Sequence, residues 1–125
     1  MKNADWRDLS RGARLQIDGE GIRATAGKGR EQFVEVDMTD DGFLVWSKVL
    51  PPRYVRALPD LATTIFTVNR LSELVCFRID HRDWLVGEAW VPYDGLTVRE
   101  WQFYVQKVAT VCDRMEHVLA GVDKQ

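Results

Sequence analysis

Thr97-Val98-Arg99-Glu100-Trp101-Gln102-Phe103-Tyr104-Val105-Gln106-Lys107-Val108-Ala109-Thr110-Val111-Cys112-Asp113-Arg114-Met115-Glu116-His117-Val118-Leu119-Ala120-Gly121 is the stretch that decides the fold. Val98, Trp101, Val105, Val108, Cys112, Met115 and Leu119 recur at intervals of three and four, the spacing of one apolar face on an α-helix. Thr97 and Glu100 form a T-x-x-E capping box, in which each side chain takes up a free backbone N–H of the other residue. Gly121 is placed to end the helix as a left-handed C′ residue. The result is a helix of about six turns at ~1.5 Å rise per residue. Its long apolar face requires an apolar surface of similar extent to cover it.

The upstream sequence supplies strands. Glu31 to Met38 alternates, with Val34, Val36 and Met38 on one face and Glu35 and Asp37 on the other. Asp40-Asp41-Gly42 is a hairpin turn signal, and Phe43 to Leu50 follows as the next strand. Before them, Arg14 to Asp18 alternates around Leu15 and Ile17. Gly19 and Gly21 read as a bend within one strand that continues from Ile22 to Ala26. Asn3 to Ser10 reads as a short first helix carrying Trp6 and Leu9. Pro51-Pro52 ends the meander. A helix follows with Pro59 in its first turn and Leu61, Ile65, Phe66 and Val68 on its apolar side, and Asn69 to Ser72 closes it. Leu74 to Asp80 and Trp84 to Val91 form a second hairpin around Asp80-His81-Arg82-Asp83. The expected fold is α+β, a five-stranded antiparallel sheet with helices in the order α-β-β-β-α-β-β-α, forming one domain over residues 1–125.

Composition narrows the function. The 125 residues are 46% hydrophobic and 29% charged, with a net charge of -2, which gives no overall grip on nucleic-acid phosphates or an anionic membrane. No stretch approaches the ~20 apolar residues of a membrane span, and Met1 to Leu9 lacks the apolar centre of a signal peptide. Cys76 and Cys112 are expected to be reduced and packed as small apolar residues, as in a cytoplasmic protein.

Several chemistries fail on spacing. Gly19-Glu20-Gly21-Ile22-Arg23-Ala24 matches G-x-G-x-x-A, but Gly27 and Gly29 leave no room for the helix that would receive a pyrophosphate. Lys28 lacks the Gly-Lys-Ser/Thr ending of a P-loop. His81, His117, Cys76 and Cys112 form no local metal clamp, with His81 expected in an exposed turn and His117 on the solvated side of the last helix. Asp113 and Glu116 flank the apolar stripe as a solvated or salt-bridged rim, and Arg7, Arg11, Arg14, Arg23 and Arg30 read as a solvated basic face. No catalytic residue, metal or cofactor is assigned.

The tryptophans carry the positive reading. If Leu85, Ala89 and Val91 face the core, then Trp84, Val86 and Trp90 face outward, and an outward Trp/Val stripe marks an interaction surface. A core on both sides of the sheet is the alternative. Glu88 interrupts this face and would be the polar group of a pocket between sheet and helices in a small-molecule-binding or enzymatic domain. A structural subunit of a larger complex is the third possibility.

Ala57-Leu58-Pro59-Asp60 through Val68-Asn69-Arg70-Leu71, followed by Val75-Cys76-Phe77-Arg78-Ile79, is similar to the middle of type III secretion chaperone-like (YbjN-type) domains. Ala109 to Gly121 resembles their last helix, with Cys112 where a small residue is usual. Arg30-Glu31-Gln32-Phe33-Val34-Glu35-Val36 and Val45-Trp46-Ser47 resemble their second and third strands. The resemblance runs from about Arg14 to Asp123. It implies a five-stranded antiparallel sheet, a homodimer and no catalytic residues. It further implies binding of an extended segment of a protein client through apolar patches and strand addition. The short first helix departs from it.

Overall fold

The long C-terminal helix lies on one face of an antiparallel sheet. The computed structural model describes residues 5–12 and 14–123. Its elements are α1 (Trp6–Leu9), β1 (Leu15–Asp18), β2 (Gly21–Ala26), β3 (Arg30–Met38), β4 (Gly42–Leu50), α2 (Pro52–Ala57), α3 (Leu61–Leu71), β5 (Cys76–Ile79), β6 (Leu85–Pro92) and α4 (Val98–Asp123). The strands form one sheet in the order β1-β2-β3-β4-β6-β5, with every neighbouring pair antiparallel.

The α+β class and the antiparallel sheet agree with expectation, but the sheet has six strands rather than five. The extra strand comes from the glycines read as a bend. Asp18 pairs with Gly21, so Gly19-Glu20 is a two-residue hairpin loop, and Gly19 takes φ +63°. That is the first central position of a type II′ turn, which glycine occupies without a Cβ clash. The expected single strand is therefore a hairpin. The region after Pro51 also divides differently. Pro52–Ala57 forms a helix of its own, and Pro59 precedes α3 instead of lying in its first turn. In α3, Leu61 is buried and Ile65 and Val68 are half-buried, but Phe66 stands 63% exposed. Gly121 lies inside α4, which continues to Asp123. Asn3, the expected start of the first helix, falls outside the described residues.

The core is one-sided. Trp101, Val105, Val108, Ala109 and Cys112 of α4 are fully buried, together with Ile22, Ala24, Val34, Phe43, Val45, Ala89 and Val91 from alternate positions of β2, β3, β4 and β6. The capping box starts α4 as expected: Glu100 N donates to Thr97 Oγ1 at 3.1 Å and Thr97 N to Glu100 Oε1 at 3.3 Å. Trp101 packs its ring 4.8 Å from Phe43 and donates its Nε1–H to Ser10 Oγ at 2.8 Å. The Ser10 hydroxyl in turn donates a hydrogen bond to the Trp6 carbonyl at 2.6 Å, so α1 is fixed to α4 through satisfied buried polar groups.

Two contacts register helix against sheet. Arg30 grips Asp113 through both carboxylate oxygens, with Nη2 to Oδ2 at 2.8 Å, which joins the start of β3 to α4. Arg30 is thus exposed but ion-paired, and buried Asp113 is the salt-bridged form of the expected rim. The second contact is Cys112 on Gly87. A β-carbon at Gly87 would overlap Cys112 Sγ and stand 2.9 Å from the Phe77 ring. Burial raises the Cys112 thiol to about 12, so it stays protonated and behaves as an apolar group.

The outer edge of β5 is closed by a side chain. Asn69 at the end of α3 accepts from Phe77 N and donates to Phe77 O, both at 2.8 Å, and so takes the place of a further strand. Among the described residues no helix is long and apolar enough to cross a membrane.

Gly87→Ala is expected to destabilise the fold by about 1–3 kcal/mol, the range for forcing a methyl group into a packed core. Adding Cys112→Ala to that variant should return part of the loss, because the two changes share one space. Urea unfolding of the four proteins measures this, and strictly additive effects would contradict the contact.

Candidate functional site

Alternate residues of the strands point away from α4, and among the described residues no helix covers the face they form. The register sets their arrangement. Glu35 pairs with Trp46, Trp46 pairs with Glu88, and Leu44 pairs with Trp90. Phe33 lies two residues before Glu35, and Trp90 two residues after Glu88. Phe33, Trp46 and Trp90 therefore run diagonally across β3, β4 and β6, at a spacing that aromatic side chains can bridge. Trp90 is 47% exposed and Phe33 41%.

The three residues expected on this surface do share the uncovered side of β6, but they are not equally available. Trp90 is open. Val86 is 1% exposed, which removes it as a contact residue. It is flanked in register by Lys48 on β4 and Arg78 on β5, two side chains with long aliphatic stems. Trp84 precedes β6 and is half-buried, with Lys48 Nζ 4.8 Å from its ring centroid. Its position is fixed by Asp80, whose carboxylate accepts from Arg82 N and Trp84 N, each at 2.9 Å. Burial would raise the Asp80 pKa, but these two donors, with His81 and Arg78 nearby, outweigh it and hold the carboxyl below its ordinary value.

Phe33 and Trp46 replace Val86 in the stripe. Their signal lay in the alternation of β3 and β4: if Val34 and Val36 face α4, Phe33 must face away. Their rings also have structural work. Phe33 fills the space that a β-carbon on Gly21 would need, and Trp90 Cζ2 lies 3.0 Å from that of Gly42. Trp46 donates Nε1–H to Asp37 Oδ2 at 3.0 Å.

Most charges of this face are paired within the chain. Arg23 bonds Asp18 at 2.6 Å and lies 3.7 Å from Glu31, and Arg78 is paired with Glu88. Glu88 therefore lies on the open face in an ion pair, on the far side of the sheet from the helices, where a pocket between the layers cannot use it. Glu35 is partly desolvated: burial raises its pKa, Lys48 opposes the shift and Asp37 adds to it. Cys76 is exposed on this same face because it belongs to edge strand β5, contrary to the expectation that both cysteines are packed away. His81 and His117 are exposed as expected, and among the described residues no three His, Cys, Asp or Glu side chains group as a metal site.

The sign of the Glu35 shift fixes a pH effect. Its folded pKa is raised, so its contribution to stability is full below the unfolded value and is lost as pH rises through the folded one. Glu35→Gln should gain in melting temperature over the parent as pH is raised from 4 to 7, and a constant difference across that range would contradict the desolvation. No protein-family model matches the chain, and the search of curated proteins finds no match.

Proposed function

We propose that this chain is a non-enzymatic, chaperone-like binding module that forms a homodimer through its uncovered sheet face and engages an extended segment of a protein partner. The observation that carries the reading is the diagonal of Phe33, Trp46 and Trp90 on a sheet face that no helix covers among the described residues. Exposed aromatic surface of this kind gains from being covered. A second copy suits it because an isologous contact requires a surface to meet itself. With Arg23 and Arg78 already paired inside the subunit, few free charges would face their own copies.

The extended segment has a different place to bind. The β5 edge is closed by Asn69, whereas among the described residues no side chain bonds the outer backbone groups of β1. In the β1–β2 hairpin, Asp18 and Gly21 flank a two-residue loop and exchange both backbone bonds, so alternation directs the N–H and C=O of Leu15 and Ile17 outward. Free edge groups of this kind accept an added strand. The resemblance to type III secretion chaperone-like domains agrees with both features, and two free cysteines suit the reducing cytoplasm.

Sedimentation of the parent, Trp90→Glu and Phe33→Lys proteins tests the reading. The expected result is a parental dimer and two monomeric variants with unchanged circular dichroism. A parental monomer, or a dimer that survives both folded variants, would refute the assigned interface.

A further inference from the structure

On the helix side of the sheet, a cleft of about 620 Å³ opens between the β1–β2 end of the sheet and the N-terminal half of α4. Its size is that of a small-ligand site. Arg14, Lys28 and Arg99 line it, and no Asp or Glu does. Arg7, Arg11, Arg23, Arg30 and Arg78 each have a carboxylate partner, whereas Arg14, Lys28 and Arg99 have no ion pair among the described residues; Arg53, Arg56, Arg70, Arg82 and Arg114 have none either, but Arg14, Lys28 and Arg99 line one cleft. The nearby acids are already engaged: Asp113 behind Gly27 by Arg30, and Glu100 beside Arg99 by the capping box. Three unpaired cations facing one concavity, in a chain of net charge -2, mark a local preference for an anion.

The rest of the lining narrows the class of anion. Phe103 is 55% exposed on the α4 wall, which offers a flat apolar face beside the cations. Gln102 Nε2 donates to the carbonyls of Leu9 and Arg11 at 3.0 and 2.9 Å, and Gln106 Nε2 to that of Thr25 at 2.7 Å. Both amide nitrogens are thus committed to the protein. Both amide oxygens have no partner among the described residues and can accept from a ligand. The turn that carries Lys28 is a tight one: Arg30 N bonds Gly27 O, with φ +56° at Lys28 and +80° at Gly29, as in a type I′ turn.

We propose that this cleft binds a mononucleotide, with Arg14, Lys28 and Arg99 on the phosphates, Phe103 against the base, and the oxygens of Gln102 and Gln106 accepting from its N–H or hydroxyl groups. One local cluster of three cations in a chain of net charge -2 fits a free nucleotide better than a nucleic-acid strand, which needs a continuous basic track. The site lies on the opposite side of the sheet from the proposed dimer face and stands independently of it.

Calorimetric titration of the intact protein with ATP, ADP, AMP, inorganic phosphate and a short single-stranded oligonucleotide tests the proposal. Binding of at least one nucleotide is expected. It should weaken by about tenfold for each of Lys28→Asn and Arg99→Gln, the scale of one charge-assisted hydrogen bond. Asparagine is chosen because it tolerates positive φ at residue 28. Phe103→Ala should weaken nucleotide but not phosphate binding. No nucleotide binding, affinities unchanged in all three variants, inorganic phosphate bound as tightly as any nucleotide, or the oligonucleotide preferred over the mononucleotides would each overturn it.

Discussion

The contact of α4 with one face of the sheet is the constraint on which the rest depends. Trp101, Val105, Val108 and Cys112 press on alternate residues of β2, β3, β4 and β6, and the helix is long enough to cross all four strands. Its closeness is set by Gly87 beneath Cys112 and its lateral position by the Arg30–Asp113 pair. The helices pack on that face, led by α4 with Trp6 of α1 and Leu61 of α3 in the same core, and among the described residues no second layer covers the other. The open face is therefore a consequence of how the core is built, and its aromatic residues are what remains to be covered.

The two sides of the sheet then differ in chemistry. On the open side, charges are mostly neutralised in place, by Arg23 with Asp18 and Arg78 with Glu88, between exposed rings of Phe33 and Trp90. On the helix side, the cleft beside β1 carries three cations without partners. The first surface suits a contact dominated by area and shape, and the second a contact dominated by charge. A module that joins copies through one side and binds a ligand or segment near the other would keep these contacts from competing.

Much of this was legible from periodicity. The stripe on α4, its Thr97–Glu100 cap and the side of β6 that carries Trp90 follow from spacing alone, because a helix or strand cannot change face without changing period. The sixth strand was missed because Gly19-Glu20 serves equally as a bend within a strand or a loop between two, and only the pairing of Asp18 with Gly21 decides. Val86 was misjudged for a related reason. Its face was right, but its burial follows from its central place between Lys48 of β4 and Arg78 of β5, and the pairing with β4, 38 residues away, is set only by the fold. The cleft left no sequence signal, since Arg14, Lys28 and Arg99 are brought together only by the fold.

Cys76 permits the most direct measurement of the central claim, that the uncovered sheet face joins two copies. It is exposed on that face, whereas Cys112 is buried with its thiol raised to about 12, so a nitroxide reagent labels one site per chain without any substitution. Pulsed dipolar spectroscopy then reads the distance between the two labels. Facing sheets pack about 10 Å apart, so the account predicts one narrow distribution with labels within roughly 30 Å of each other. A dimer whose labels lie well beyond that distance, or a protein that shows no dipolar coupling at all, would contradict it.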